Sequence, residues 1–204
     1  MRVKKLILGN LQTNGYVISN DNKQCIIVDP GAIGKKVVNY ITENELRVEA
    51  IFLTHGHFDH IGAVDYLYNV YQCDIYIHEE DIPLLKDANL NLSVFETPFI
   101  IEAPIKGARD TMEIAGFNVE WMHLPGHCPG SSMIRFIKEG IIFSGDVLFK
   151  GSIGRFDFPG SSNHDTKCTL SKIKELDYDA VIYPGHGEET TLLFEQKNNP
   201  YLKS

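Results

Sequence analysis

The chain has 204 residues, of which 43% are hydrophobic and 23% are charged, and this composition argues against a disordered protein. Its formal net charge of −8 argues against a general nucleic-acid binder, which would carry a basic surface. The sequence has no apolar run of the length that a transmembrane helix needs, so we expect no membrane segment and one domain spanning residues 1–204.

The first ten residues contain basic side chains, but the apolar stretch Leu6–Leu8 is too short for a signal peptide. The four cysteines are scattered and form no Cys-x-x-Cys pair, which argues against a zinc ribbon and a disulfide framework. We therefore expect reduced thiols and a cytoplasmic protein.

Short apolar or alternating runs recur along the chain and predict β-strands, because many are rich in β-branched residues and are bounded by turn-forming residues. These runs are Val3–Leu8, Tyr16–Ile18, Cys25–Val28, Ala50–Leu53, Asp74–Ile77, Phe117–Met122, Met133–Ile137, Ile141–Phe143 and Val181–Tyr183. Four intervening stretches show helical spacing of apolar residues. They are Lys35–Leu46, His60–Tyr71, Asp165–Leu176 and Thr190–Lys197. This order predicts an α/β protein in which helices cover mixed sheets. The weakly patterned stretch Asn89–Asp110 is predicted to be a mobile loop near a site.

The sharpest motif is Thr-His-Gly-His-Phe-Asp-His, which directly follows the predicted strand Ala50–Leu53. It supplies four nitrogen or oxygen donors within six residues. They are His55, His57, Asp59 and His60. Two residues separated by one position on an extended chain point the same way, so we expect His55 and His57 to project from the same side of the strand exit. Imidazole and carboxylate suit zinc, iron or manganese.

Three further donors each follow a strand-like run in a turn that contains glycine. They are His127, Asp146 and His186. The carboxyl ends of strands are where α/β sheets bind ligands, so we expect these donors to meet the first motif. One shared carboxylate would then complete a two-metal site about 3.5–4 Å across, with zinc the first expectation for the two divalent ions.

The His-x-His-x-Asp-His motif, followed by His127, Asp146 and His186, resembles the metallo-β-lactamase superfamily over essentially the whole chain. The resemblance implies a four-layer αβ/βα sandwich with two mixed sheets flanked by helices. It also implies that His55, His57 and His127 hold the first metal and that Asp59, His60 and His186 hold the second. Asp146 would bridge the two ions.

Within the superfamily, the stretches Gly145–Gly160 and Gly185–Leu202 are similar to short bacterial members of the glyoxalase II group. This resemblance implies a thioester hydrolase in which a metal-bound hydroxide attacks an acyl carbonyl, as in hydrolysis of S-lactoylglutathione. Asp59 and Asp146 would be its catalytic carboxylates. The positive metal centre favours a small anionic acyl thioester as substrate.

The chain departs from classical glyoxalase II in the part that would bind glutathione. We expect no separate C-terminal helical domain, and the positions of a glutathione-binding lysine and tyrosine hold Arg155 and Asp157. Arg155 is a candidate substrate-binding residue, since guanidinium pairs well with carboxylate. Pairing of Arg155 with Asp157 is the alternative, and the sequence leaves the oligomeric state open.

Two other activities on this fold stay open from sequence. A persulfide dioxygenase would use one iron, bound by residues of the His57, His127 and Asp146 type, and a lactone or ester hydrolase would use the full donor set. An electron-transfer scaffold is disfavoured, because no flavin-binding domain accompanies the motifs.

Overall fold

The computed structural model describes residues 1–32 and 34–203, in which the strands form two six-stranded mixed sheets. The first sheet runs in spatial order through β1 (Arg2–Leu8), β2 (Thr13–Ser19), β3 (Gln24–Val28), β4 (Arg47–Phe52), β5 (Asp74–Ile77) and β6 (Lys106–Gly107). The second sheet contains β7 (Thr111–Ile114), β8 (Phe117–His123), β9 (Ser132–Phe136), β10 (Ile141–Gly145), β11 (Val181–Pro184) and β12 (Thr190–Thr191). The spatial order of the second sheet is β12-β11-β10-β9-β8-β7.

The helices fall between and after these strands. They are α1 (Gly34–Glu43), α2 (Phe58–Ile61), α3 (Val64–Tyr71), α4 (Ile82–Leu85), α5 (Asn163–Glu175) and α6 (Leu192–Asn198), with 3-10 turns at Glu79–Asp81 and Ser93–Phe95. No helix in the described part of the chain is both long and apolar enough to cross a lipid bilayer.

Strand pairing explains how the chain forms two mixed sheets. The pairs β1–β2 and β2–β3 are antiparallel, whereas β3, β4, β5 and β6 run parallel to one another. In the second sheet only β10 and β11 are parallel neighbours. The prediction of a mixed-sheet structure covered by helices is confirmed.

Alternation along the strands builds the four layers. In β3, Ile26 and Val28 face the second sheet and pack in a core with Phe136 and Phe143, whereas Ile27 faces the side covered by α1 and α3. A third core lies under α5 and α6 on the outer face of the second sheet. The two sheets are therefore the inner layers and the helices are the outer ones.

Three sequence predictions need correction. The predicted helix His60–Tyr71 is two helices, because the N–H of Ala63 donates to the carbonyl oxygen of Pro30 at 2.8 Å instead of to a carbonyl of the preceding helical turn. The predicted final helix begins at Leu192, since residues 190–191 pair with β11. The short edge strands β6 and β7 were not predicted, because a strand of two or four residues is too short to show a clear alternation of apolar and polar side chains.

The stretch 89–110 is mostly irregular, as predicted, but it is anchored to the rest of the molecule. The carboxylate of Asp65 accepts hydrogen bonds from the backbone N–H groups of Glu102 and Ala103. Its predicted mobility stays a prediction.

Candidate metal centre

Polar side chains from four strand ends meet at one end of the sandwich. His55 and His57 follow β4, His127 follows β8, Asp146 directly follows β10, and His186 follows β11. The contacts described below bring together all seven donors that the sequence singles out.

The first donor group contains His55, His57 and His127. Nδ1 of His57 lies 2.9 Å from Nε2 of His127, and the rings of His55 and His127 have centroids 4.9 Å apart. Burial, together with the neighbouring imidazoles, lowers the pKa of His57 to about 3 and that of His55 well below its usual value. These imidazoles are therefore neutral, which is the form that binds a metal ion.

The second donor group contains Asp59, His60 and His186. Oδ2 of Asp59 lies 3.2 Å from Nε2 of His186 and 3.5 Å from Nε2 of His60. Burial opposes ionisation of Asp59, but His60, His186 and a hydrogen bond from Thr13 hold its pKa below the usual range. Asp59 is therefore ionised, and its carboxylate can bind a cation.

Asp146 lies between the two groups. Its Oδ1 is 3.3 Å from Nε2 of His60, and its Oδ2 is 3.7 Å from Nε2 of His127 and 3.6 Å from Nε2 of His186. One carboxylate thus faces donors of both groups, which is the arrangement expected of a residue shared by two cations.

The unsatisfied atoms of the cluster fit a cation. Nε2 of His55, Nε2 of His60 and Oδ1 of Asp146 are buried and have no hydrogen-bond partner within the protein. Buried polar atoms are costly without partners, so this convergence needs an explanation. Divalent metal ions supply it, because neutral imidazole and carboxylate are their ligands.

Glycine at two positions lets the donors approach one another. A Cβ on Gly185 would lie 2.2 Å from Oδ1 of Asp146 and 2.7 Å from Cε1 of His60. Gly145 has a φ of +48°, and a Cβ there would lie 2.2 Å from Oγ1 of Thr54. Both strand ends therefore require glycine beside the candidate metal ligands.

Asp29 supports this site but escaped the sequence analysis. Its Oδ2 lies 3.0 Å from Nδ1 of His60, and its carboxylate also accepts hydrogen bonds from the N–H and hydroxyl of Thr54. Its position directly after β3 follows the same strand-end rule that identified Asp146, so that rule could have found it.

Two other donors are also oriented by hydrogen-bond contacts with residues outside the donor set. Oγ1 of Thr13 donates to Oδ2 of Asp59 at 2.7 Å, and Nδ1 of His127 lies 2.6 Å from the carbonyl oxygen of Arg155. Such outer contacts fix the ring orientation and tautomer of a metal-binding histidine.

Asp81 joins the two loops that carry the first donor group. Its carboxylate accepts hydrogen bonds from the backbone N–H groups of Gly56 and Gly130, and its side chain is fully buried. No local motif marks Asp81, so sequence reasoning gave no reason to select it.

Arg155 lies at the mouth of the site, but its guanidinium is engaged. Nε and Nη2 of Arg155 donate to the two carboxylate oxygens of Asp157, each at 2.9 Å, and the guanidinium lies over the ring of Phe158. The alternative that Arg155 pairs with Asp157 therefore describes the structure. Its contact with substrate stays a prediction.

Two further groups near the site have simpler explanations. Sγ of Cys128 lies 3.3 Å from Nε2 of His57, and burial raises the pKa of this thiol well above its usual value, so it packs as a neutral group. The rings of His78 and His123 stack at 3.7 Å with planes only 13° apart. An imidazole lone pair lies in the plane of its ring, so one ion could not lie in the planes of both rings.

A cavity of about 240 Å³ opens over the donors. Besides donor residues, it is lined by Leu11, Phe58, Leu92, Phe149, Ile153, Gly154, Arg155 and Phe158. The site is therefore a polar centre at the base of an apolar cleft, a common form for a small-molecule site.

Comparisons with known proteins agree with this geometry. Residues 8–186 match the family described as the metallo-beta-lactamase superfamily. The hydroxyacylglutathione hydrolase GloC of Haemophilus influenzae is 34% identical over 212 residues, which cover 100% of this chain and 99% of that protein.

Two solved structures are similar along nearly the whole chain. The BLEG-1 B3 metallo-beta-lactamase superimposes with a TM-score of 0.93 at 36% identity, covering 100% of both chains. TTHA1623 in a di-iron-bound form gives a TM-score of 0.87 at 34% identity, covering 98% of this chain and 100% of the other.

Proposed function

Because the chain belongs to the metallo-β-lactamase superfamily, we propose that it is a hydrolase that cleaves acyl thioesters at a pair of divalent cations. The observation that carries the proposal is the position of Asp146 between two donor groups. Two cations bound there would lower the pKa of water and stabilise negative charge on an acyl oxygen.

The residues themselves prepare the centre for this chemistry. His55, His57 and His127 would hold the first ion, and Asp59, His60 and His186 the second, with Asp146 touching both. Thr13 keeps Oδ2 of Asp59 in a fixed position through its 2.7 Å hydrogen bond. Asp59 can therefore orient the attacking water as well as hold an ion.

A thioester is the substrate class that fits the site best. A thiol with a pKa of about 8.5 leaves as thiolate without strong acid catalysis, so no dedicated proton donor is needed. The similarity to GloC, whose name specifies a thioester hydrolase, supports the same substrate class. An anionic thioester would be attracted by the positive centre of the loaded site. Free thiols at all four cysteines agree with a cytoplasmic location.

The cations are proposed to be zinc, with iron the principal alternative and manganese also compatible with the donors. Iron gains support from the similarity to TTHA1623, which was solved with two iron atoms. Hydrolysis of a β-lactam amide is the second candidate function, because BLEG-1 is named a B3 metallo-beta-lactamase and is 36% identical.

The test combines metal analysis with a substrate panel. Purified protein is loaded separately with zinc, iron or manganese and assayed with S-lactoylglutathione, acetyl-CoA, a lactone, a cephalosporin, and glutathione persulfide with oxygen monitored. We expect two metals per chain and thioester hydrolysis as the fastest reaction. One iron with oxygen consumption would instead identify a dioxygenase, and fastest turnover of the cephalosporin would identify a β-lactamase.

Variants assign the reaction to the candidate site. His57→Ala and Asp146→Ala should each abolish turnover and lower the metal content, whereas His164→Ala, at an exposed position of α5, should preserve both. Unchanged turnover in His57→Ala or Asp146→Ala would remove that residue from the chemistry.

A further inference from the structure

We infer that the acyl part of the substrate is an uncharged apolar chain, and that it lies in a second cavity beside Asp59. The inference rests on the proposed function, since it specifies which thioester the same site would take. Its starting point is that two cavities, each lined in part by Asp59, meet at this residue.

The two cavities are neighbours. Both are lined by Leu11, Phe58 and Asp59, so a thioester bound over the donors has the second cavity beside it. The second cavity has a volume of about 250 Å³. Its remaining walls are Leu8, Gly9, Asn10, Thr13, Gly31, Ala32, Gly62, Glu96, Thr97 and Phe99.

The charges of this lining select against an anionic group. Among the described residues of the lining, the charged side chains are Asp59 and Glu96, and both are acidic. The hydroxyl of Thr13 donates a hydrogen bond to Oδ2 of Asp59. No lysine or arginine is among these described residues, so a carboxylate placed near Glu96 would meet like charge without a partner.

Apolar surface at the cleft mouth points to an apolar ligand. Leu11, which lines both cavities, is 50% exposed, and Phe58 and Phe99 also line the second cavity. Apolar and aromatic side chains of this kind are the usual lining of a site for an apolar ligand. Glutathione, by contrast, needs cations for its carboxylates, and the guanidinium of Arg155 is already paired with Asp157.

A chain-length series measures the second cavity. Saturated acyl-CoA thioesters from acetyl to decanoyl are compared with the metal-loaded protein. Each buried methylene should raise kcat/KM by about fourfold until the cavity is full. Succinyl-CoA should be hydrolysed at least ten times less efficiently than butyryl-CoA, because its carboxylate would lie near Glu96 with no lysine or arginine among the described lining residues to pair with.

Two variants change the cavity in opposite directions. The Cβ of Ala32 faces Gly9 across the lining, so Ala32→Phe should fill the space and lower the octanoyl-to-acetyl ratio of kcat/KM at least tenfold. Phe99→Ala should enlarge the cavity and move the optimum to longer chains. Val70→Phe adds bulk at an exposed position of α3 outside both cavities and should leave the ratio unchanged.

A binding measurement separates this inference from the proposed function. Calorimetric titration of metal-free protein with 1-octanol should detect binding that Ala32→Phe weakens at least fivefold. If thioesters are hydrolysed with no dependence on chain length, the inference is wrong and the proposed function stands. If no thioester is hydrolysed, the proposed function is wrong, and equal octanol binding by wild type and Ala32→Phe would then overturn the cavity assignment too.

Discussion

The carboxylate of Asp29 contacts the imidazole of His60 on the side opposite Asp59 and Asp146. Oδ2 of Asp29 lies 3.0 Å from Nδ1 of His60, and both side chains are at most 2% exposed. Because Nδ1 faces Asp29, Nε2 is the nitrogen that faces Asp59 and Asp146. The second donor group therefore depends on a residue that would touch neither the metal nor the substrate.

Replacing Asp29 by asparagine should weaken one metal site. The amide has one acceptor oxygen for the three groups that now donate to the carboxylate, so the ring of His60 loses its fixed orientation. Loss of such an outer contact lowers metal affinity by about 10- to 100-fold. Competition with a chelator measures both affinities, and Asp74→Asn, at an exposed carboxylate, is the control. Two unchanged affinities would contradict the orienting role.

Gly185→Ala should prevent the binding of two metal ions while leaving the fold intact. The added Cβ would lie 2.2 Å from Oδ1 of Asp146, so this carboxylate must move away from the position between the two donor groups. We expect at most one metal per chain, measured on protein whose circular dichroism matches wild type. Gly107→Ala is the matched control, because its Cβ would meet only the Cβ of Glu79 at 3.7 Å. A Gly185→Ala protein that binds two metals would show that the contact is not restrictive.

The donor set could be predicted from sequence because each donor follows a strand. A strand end and a glycine-bearing turn are visible locally, so His127, Asp146 and His186 could be linked to the first motif before any coordinates. The two-sheet architecture was predicted because the same residues resemble the motif of the metallo-β-lactamase superfamily. The glyoxalase-like stretch Gly145–Gly160 likewise pointed to thioesters, which remain a proposal.

The supporting residues could not be predicted because their partners are distant in sequence. Asp81 accepts hydrogen bonds from Gly56 and Gly130, which are 25 and 49 residues away, and such pairings leave no local periodicity. The split between α2 and α3 also arises from a tertiary contact, the hydrogen bond from the N–H of Ala63 to the carbonyl oxygen of Pro30. Packing between segments, rather than propensity, decided both features.

Arg155 and Asp157 should have opposite effects on anionic substrates. Arg155→Ala should raise KM for an anionic thioester more than it lowers kcat, because the guanidinium would act only in binding. Asp157→Ala should lower the same KM, since it releases the guanidinium from both hydrogen bonds. Steady-state kinetics at low and high salt measures both effects, which salt should reduce. An unaltered KM in both variants would leave the pair with a structural role only.

Asp81 should make the stability of the metal-free protein pH-dependent in an unusual direction. Burial raises its pKa to about 6, against an ordinary value of 3.8, although the N–H groups of Gly130 and Gly56 oppose the shift. Between these values the folded chain keeps a proton that the unfolded chain has released, so this residue's contribution to the free energy of unfolding falls as pH rises. The fall should be on the order of 2 kcal/mol. Urea unfolding of wild type and Asp81→Asn from pH 4 to 7.5, with chelator present, isolates it, because contributions from other groups cancel in the difference. If that difference is constant, or increases in favour of wild type as pH rises, then Asp81 is already ionised in the folded protein at pH 4.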